Sequence, residues 1–492
     1  MLNGLFVSAV ESGLAVFRLP ILNDARIWAV LGHPAMQSAV ERVGRRRAVA
    51  VARLAARRCP AYREFLAANK VTDIEPFAAL PITTKENYVK AYSIESRCLD
   101  GRIPAKGVVI DESSGSSGTP NNWVRGASER AAVRRLLQHG WSLTYRDDGV
   151  FLLNCFALGP WATGMNVSMS LADRVILKSI GPDKAKLEAT LKTFGPKYRY
   201  ALAGYPPFIK DFIDNTTLDL SAFDLHFIVG GEGLSEGLRT HFLRRARSVV
   251  SSYGASDLEI NIGIETDRTI ALRKQCAADP ALSRELFARD EPPMIFQYNP
   301  LDYLIETNDK KELVFTLLRS SNVAPKVRYN LKDIGGTTPW ATAAAALAKR
   351  PGTPAPPPPG LSFPLLWVFG RGDLSVPFYG CKVMTTDLDN VLWSDPDMRA
   401  AFHSFRLRKS AGSDLNESLV VMLERSAQSA SAPIDAARLP RVIFDGLSRV
   451  NQDFREVSKL FGPERIEVEV HDFQTGPFAG RDIRVKNKYI ED

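Results

Sequence analysis

Between residues 107 and 330 the chain alternates short apolar runs with amphipathic stretches, and this alternation narrows the fold more than any other feature. Val150-Phe151-Leu152-Leu153, Arg174-Val175-Ile176-Leu177, Tyr200-Ala201-Leu202-Ala203, Phe227-Ile228-Val229 and Ser248-Val249-Val250 have the length and content of buried strands. Residues 183–194, 207–214 and 235–247 lie between them with helical spacing. Strand and helix in alternation predict an α/β domain with a substantial parallel sheet. Ligands of such sheets gather at the carboxyl ends of the strands. The glycine-bearing turns fall there: Ala203-Gly204-Tyr205, Gly230-Gly231-Glu232-Gly233 and Tyr253-Gly254-Ala255-Ser256-Asp257.

The flanks read differently. Residues 1–100 are mostly helical in pattern. Arg42, Arg45, Arg46, Arg47, Arg53, Arg57 and Arg58 alternate with Val43, Val49, Val51 and Leu54, which predicts a helix with a solvated basic face. Residues 302–306, 312–318 and 327–329 read as strands and 341–349 as a short helix. Residues 351–359 hold six prolines in nine positions and read as an extended loop. Residues 364–369 read as a strand. The remainder, from about 374, is mixed: helices over 383–393 and 434–461 and a strand over 466–470.

A chain of 492 residues exceeds one small core, and a net charge of +8 permits anionic ligands without demanding nucleic acid. Cys59, Cys98, Cys155, Cys276 and Cys381 are dispersed, with no CxxC pair, which argues against a zinc site or disulfide framework and fits a reducing cytoplasm. Residues 2–22 are apolar but broken by Glu11, Arg18 and Pro20, so neither a signal peptide nor a membrane span is expected.

One stretch carries an obvious chemistry. Ser113-Ser114-Gly115-Ser116-Ser117-Gly118-Thr119-Pro120 follows the strand-like Gly107-Val108-Val109-Ile110 and precedes a helical segment, 127–139. Glycine brings backbone N–H groups close to a ligand, and the hydroxyls add donors, which suits phosphate. A flexible linker is the competing reading. Three later segments line up with it. Tyr253-Gly254-Ala255-Ser256-Asp257 joins an aromatic, a hydroxyl and a carboxylate able to hold Mg2+. Arg328-Tyr329-Asn330-Leu331-Lys332-Asp333 places an aspartate after a strand, where it could take a ribose diol. Gly370-Arg371-Gly372-Asp373 follows the next strand; its Arg371-Gly372-Asp373 is also the integrin-adhesion tripeptide, a match that arises readily by chance. A Walker-type nucleotide site is excluded, because the loop lacks Gly-Lys-[ST].

The order of these four segments resembles the adenylate-forming superfamily of acyl- and aryl-coenzyme A synthetases, adenylation domains and luciferases, and within it the phenylacetate–coenzyme A ligase branch. Pro81-Ile82-Thr83-Thr84-Lys85 resembles that branch's N-terminal signature, and Gly204-Tyr205-Pro206-Pro207 its helix-opening turn. The resemblance implies a large N-terminal domain with parallel sheets flanked by helices (a helical part over 1–105, the nucleotide- and acyl-binding part over 106–370) and a small mobile α+β C-terminal domain over 371–492. It implies a ligase that activates a carboxylic acid with ATP to an acyl-AMP and pyrophosphate, then passes the acyl group to coenzyme A. Residues 113–119 would cradle the phosphates. Gly231, Glu232, Tyr253, Gly254, Ser256, Asp333 and Arg371 would surround the AMP moiety, Tyr253 stacking on adenine and Asp333 holding the ribose. Asp257 would hold Mg2+, and Asp373 would be the hinge. Phe156, Trp161, Gly164 and Tyr205 would shape an acyl pocket for an apolar acid, aromatic acids included.

Four departures from the family pattern stand out. Thr119 replaces a lysine of the phosphate loop, and Asp257 replaces a glutamate. The gap from Asp333 to Arg371 is long. The catalytic C-terminal lysine has no clear equivalent: Lys486 is the first candidate, Lys488 and Arg481 its rivals. These departures keep two alternatives open, a nucleotide-binding protein of this fold without catalysis, and an adenylating enzyme whose acceptor is a carrier protein or an amine. The sequence does not set the oligomeric state, a homodimer being one candidate.

Overall fold

The computed structural model describes residues 30–112, 121–145, 149–350, 362–372, 374–379, 381–408, 418–427, 435–480 and 488–491. Helices α1 (Gln37–Arg58) and α2 (Pro60–Ala68) come first. The arginines of α1 are more engaged than a solvated face requires. Arg47 reaches the Leu301 carbonyl at 2.6 Å, Arg58 pairs with Asp100 and Arg53 with Glu75. Strands β1 (Val108–Glu112) and β2 (Asn122–Gly126) pair antiparallel, Glu112 opposite Asn122. This hairpin leads directly into α3 (Ala127–Tyr145). Residues 113–120 lie outside the described residues.

The predicted alternation then follows: β3 (Phe151–Asn154), α4 (Ala162–Leu171), β4 (Ile176–Ser179), α5 (Lys184–Phe194), β5 (Arg199–Gly204), α6 (Pro206–Asn215), β6 (Asp224–Gly230), α7 (Glu236–Phe242) and β7 (Ser248–Tyr253). Helix α7 is shorter than the 235–247 read from the sequence. After Phe242 the chain turns, and the Arg247 N–H donates to the Leu225 carbonyl at 2.8 Å, aligning β7 beside β6. β8 (Gly263–Ile264), α8 (Asp267–Ala278), α9 (Pro280–Phe287), β9 (Met294–Tyr298), β10 (Tyr303–Thr307), β11 (Glu312–Leu317), β12 (Tyr329–Thr338), α10 (Trp340–Ala348) and β13 (Leu365–Arg371) complete the sheet. Its order is β10-β11-β12-β13-β9-β8-β7-β6-β5-β3-β4. β3 to β7 are mutually parallel and the rest antiparallel.

The period of two along a strand decides what each sheet face buries. Phe151, Leu153, Leu202 and Phe227 join Leu187 and Leu191 of α5, Phe212 of α6 and Phe242 of α7. Leu152, Ala201, Ala203 and Ile228 meet α3 and α4 instead, through Val133, Trp141, Val167 and Leu171. Both faces of β3 and β5 are therefore covered, and their near-continuous apolar runs follow from that; the edge strand β4 is largely exposed, Ile176 at 45%.

The C-terminal part holds β14 (Ser375–Phe378), β15 (Cys381–Met384), α11 (Thr385–Ser394), α12 (Pro396–Ala401), β16 (Phe402–Arg408), β17 (Leu419–Arg425), α13 (Leu439–Val450), α14 (Gln452–Val457), β18 (Ile466–His471) and β19 (Ile490–Glu491). Residues 383–384 belong to β15, not to a helix. Val383 pairs with Val376, and the Asp387 carboxylate accepts from the Met384 N–H at 2.9 Å to start α11. Val376, Phe378, Leu388, Leu392 and Phe402 share one core with Phe208, Phe212, Leu238 and Phe242. Lys210 donates to the Phe402 carbonyl at 3.1 Å and Arg399 to that of Gly237 at 3.1 Å. A swing of the C-terminal part would have to open these contacts; Asp373 itself lies outside the described residues. All five cysteines are buried and carry no disulfide. Among the described residues, no helix is long and apolar enough to cross a membrane.

Candidate nucleotide and acyl site

Three of the sequence segments are tied together by hydrogen bonds across long stretches of chain. β12 and β13 pair with Asp333 opposite Arg371. The Tyr253 hydroxyl, at the end of β7, donates to the Asp333 carboxylate. The Tyr329 hydroxyl donates to Asp257 Oδ2 at 2.9 Å. Thr83 bridges to Tyr329, its N–H on the Arg328 carbonyl and its own carbonyl accepting from Asn330, each at 2.9 Å. The N-terminal signature thus docks on the Arg-Tyr segment. Below it, the Thr84 side chain caps the turn over Lys85–Val89.

The placement of Tyr253 differs from a free stacking platform. Its ring lies in the core, 5.8 Å from that of Phe296 and 6.2 Å from that of Phe315. Burial, with Asp333 beside it, pushes the phenol well above its ordinary range, so it stays a donor. Tyr253 therefore fixes Asp333 against the strand end. Arg371 is exposed opposite it.

The turn after Tyr253 is braced from below. Arg125, in the middle of β2, donates to the carbonyls of Ser256 and Leu258. It also pairs with Glu129 at 2.8 Å and Asp111 at 3.4 Å. Burial raises the Asp111 carboxyl, and Arg125 opposes that shift. The Ala255 N–H donates to the Glu259 carbonyl at 2.9 Å and closes the turn. Asp257 stands half-buried at its tip. Among the described residues no three acidic, histidine or cysteine side chains gather as a metal cluster. One carboxylate fits a magnesium ion whose other ligands are phosphate oxygens and water.

Beside these groups, at the carboxyl ends of β5, β6 and β7, lies a cavity of about 100 Å3. Phe156, Trp161, Tyr205, Gly231, Gly254 and Ser256 line it, as does the face of α3 carrying Leu137, Trp141 and Tyr145. Its rim touches the β1–β2 hairpin, because the Glu112 N–H donates to the Pro160 carbonyl at 2.9 Å next to Trp161. Gly164 is not among the lining residues. A Cβ there would sit 2.1 Å from the Ala157 carbonyl oxygen, so this glycine lets α4 close on the loop above it. Glu232 points elsewhere too, accepting the Tyr489 hydroxyl of the C-terminal part at 2.7 Å.

Gly231 is the tightest point of the cavity wall. It has φ +80°, and a Cβ would lie 2.4 Å from the Tyr205 ring. Gly231→Ala should therefore cost about 1–3 kcal/mol through strain and the displaced ring. Thermal unfolding checks this; an unchanged melting temperature would show that the turn relaxes freely.

Of the other expected residues, Ser113, Ser114, Gly115, Ser116, Ser117, Gly118, Thr119, Asp373, Arg481 and Lys486 lie outside the described residues. Lys488 pairs with Glu491 at 2.9 Å and is half-exposed. The sequence reading missed Arg125 and the α3 wall. The apolar spacing of Leu137, Trp141 and Tyr145 was visible, but such a stripe usually marks core.

No family model matches this sequence, and no curated protein does. Solved structures do resemble it. 2-Hydroxyisobutyryl-CoA ligase in the postadenylation state with 2-HIB-AMP superposes with a TM-score of 0.65 at 16% identity, covering 93% of this chain and 89% of that one. The same ligase with R3-HIB-AMP gives 0.63 at 15% identity, covering 93% and 89%. Its open form with 2-HIB-AMP and CoA gives 0.54 at 15%, covering 93% and 92%. The fold of this chain is that of an adenylate-forming CoA ligase.

Proposed function

We propose that the protein activates a carboxylic acid by adenylation and transfers the acyl group to a thiol, coenzyme A being the first candidate. The observation that carries this reading is the pair of cross-links Tyr253–Asp333 and Tyr329–Asp257, which assemble segments some 70 to 80 positions apart beside an apolar cavity. The likeness in fold to a ligase solved with an acyl-AMP supports it. In the first step a carboxylate oxygen attacks the α-phosphorus of ATP, the bond to the bridging oxygen breaks, and pyrophosphate leaves. In the second, a thiolate attacks the acyl carbon and AMP leaves.

In this reading Asp333 and Arg371 hold the ribose, and Tyr253 keeps the Asp333 carboxylate in place. Ser256 stands between the cavity and the α-phosphate, and Asp257 would hold a magnesium ion, whose charge would offset that of the phosphates. Residues 113–119 would bind the phosphates. Lys486, or else Lys488 or Arg481, would stabilise the charge that develops at the α-phosphate. The motif order supports the phenylacetate-type branch, and buried, unbridged cysteines support a cytoplasmic setting.

Acid-dependent exchange of labelled pyrophosphate into ATP, run over a broad panel of acids, tests the reading. ATP binding without exchange would favour a nucleotide-binding protein without catalysis. Products carrying no CoA thioester would move the acceptor to a carrier protein or an amine. Asp257→Ala should lower exchange 10- to 100-fold, roughly the scale of a lost metal contact, with the circular dichroism spectrum retained. Unchanged turnover would remove Asp257 from the metal site.

A further inference from the structure

The cavity wall is mostly hydrocarbon, contributed by Leu152, Val167, Leu171, Ile228, Ile260 and Ile264. One donor on its α3 wall, Trp141 Nε1, has no hydrogen-bond partner. The Tyr145 hydroxyl, one turn further on, lies beside the Ser248 side chain, and the unpartnered Ser251 Oγ belongs to the opposite face of the sheet, with Val229 and Val249. Trp141 is deeply buried, at 4% exposure. The Thr144 hydroxyl donates back to the Gly140 carbonyl at 2.9 Å. The Glu265 carboxylate accepts from the Ser251 N–H at 2.7 Å and is neutralised by Arg239.

An indole N–H can only donate. Buried donors left unmade are costly, and most buried polar atoms in proteins find partners. An occupant made only of carbon and hydrogen would leave this donor unmade. An occupant with an oxygen at this depth would satisfy it.

Accepting that this cavity receives the acyl group, we propose that the acid is apolar in body and carries, beyond its carboxylate, a hydrogen-bond acceptor oxygen (hydroxyl, ether or keto) that meets the Trp141 indole N–H. Such a group adds discrimination through the site's own unpaired donor, which rejects the bare hydrocarbon analogue.

Calorimetric titration of the full chain with matched acids tests this: phenylacetate against its 4-hydroxy and 4-methoxy forms, and hexanoate against 5-oxohexanoate. In at least one pair the oxygenated acid should bind about 10-fold tighter than its parent, the worth of a single net hydrogen bond. Trp141→Phe, which keeps the ring and removes the donor, should abolish the preference by weakening only the oxygenated acid. Ser251→Ala, whose hydroxyl lies on the other face of the sheet, should leave the preference intact, and the comparison of matched acids on the wild type decides the matter if the tryptophan variant folds poorly. Parent acids binding as well or better would overturn the proposal. So would a Trp141→Phe effect equal on both members of a pair, which would mean that a resident water serves the donor. Preferential binding without pyrophosphate exchange would sustain the acceptor-oxygen preference while defeating adenylation; exchange without the preference would do the reverse.

Discussion

Replacing Arg125 with leucine should destabilise the protein by about 3–5 kcal/mol, the range for removing one partner of a buried ionic cluster. Arg125 is 5% exposed, and the carboxylates it faces, Asp111 and Glu129, are 3% and 2% exposed. Leucine would strand both acids and also the carbonyls of Ser256 and Leu258. Asp111, already raised by burial, would lose the charge that opposes the shift and would take up a proton more readily. Arg125→Lys should fall between, because an ammonium keeps the charge but cannot span two carbonyls and two carboxylates as a planar fork does. Urea unfolding measures the loss, and hydrogen exchange at residues 255–258 reports whether the turn opens. A loss under 1 kcal/mol would mean that the cluster is repaired by water, and the bracing role of Arg125 would fail.

That arginine also marks the limit of what the sequence discloses. The strands from Phe151 to Tyr253 were legible because β3 and β5 carry apolar runs buried on both faces and β6 and β7 alternate with the pleat, while the edge strand β4 is largely exposed and sits two residues later than read. The segments around Tyr253, Tyr329 and Arg371 were legible from type and order. Their bonding was not: nothing local indicates that Tyr253 spends its hydroxyl on Asp333, or Tyr329 its own on Asp257. Gly164 was read as framing a pocket because it stands near aromatic residues, and it proves to be a packing glycine. Arg125 sits in a five-residue strand with no motif, and beside Asp111 and Glu129 its two carbonyl partners are 131 and 133 positions away. Long-range partners of this kind follow from sheet topology, which periodicity cannot supply. The same applies in part to β16 and β17, which the 374–492 reading did not resolve: they pair with each other, but each also takes a parallel partner from far along the chain, β19 for β16 and β18 for β17.

Lys326 gives the second large effect, with the opposite sign. It is 8% exposed, its ammonium lies 4.3 Å from the centroid of the Trp123 ring, and that ammonium makes no hydrogen bond or ion pair among the described residues. Burial, helped by the charges of Arg125 and Arg97 and opposed by Glu129 and Asp257, lowers its pKa to about 7. In the unfolded chain it titrates near 10.4. Between those values the unfolded state holds the extra proton, so stability rises with pH across this window, and below pH 7 the cost of the buried amine is fully present. That cost is on the order of 4 kcal/mol. Lys326→Met keeps the stem against Trp123 and removes the amine. The variant should therefore be more stable than the wild type by up to that amount at pH 6, and the gap should close by pH 10. Urea midpoints at pH 6, 8 and 10 decide it; a gap that stays constant or widens with pH would refute the assignment. Lys210 supplies the control. It is also buried, at 2% exposure, but it is paired with Asp214 at 2.7 Å and bonded to the Phe402 carbonyl. Lys210→Met should destabilise at every pH where Asp214 is charged, because there the amine satisfies partners that methionine would leave unpaired.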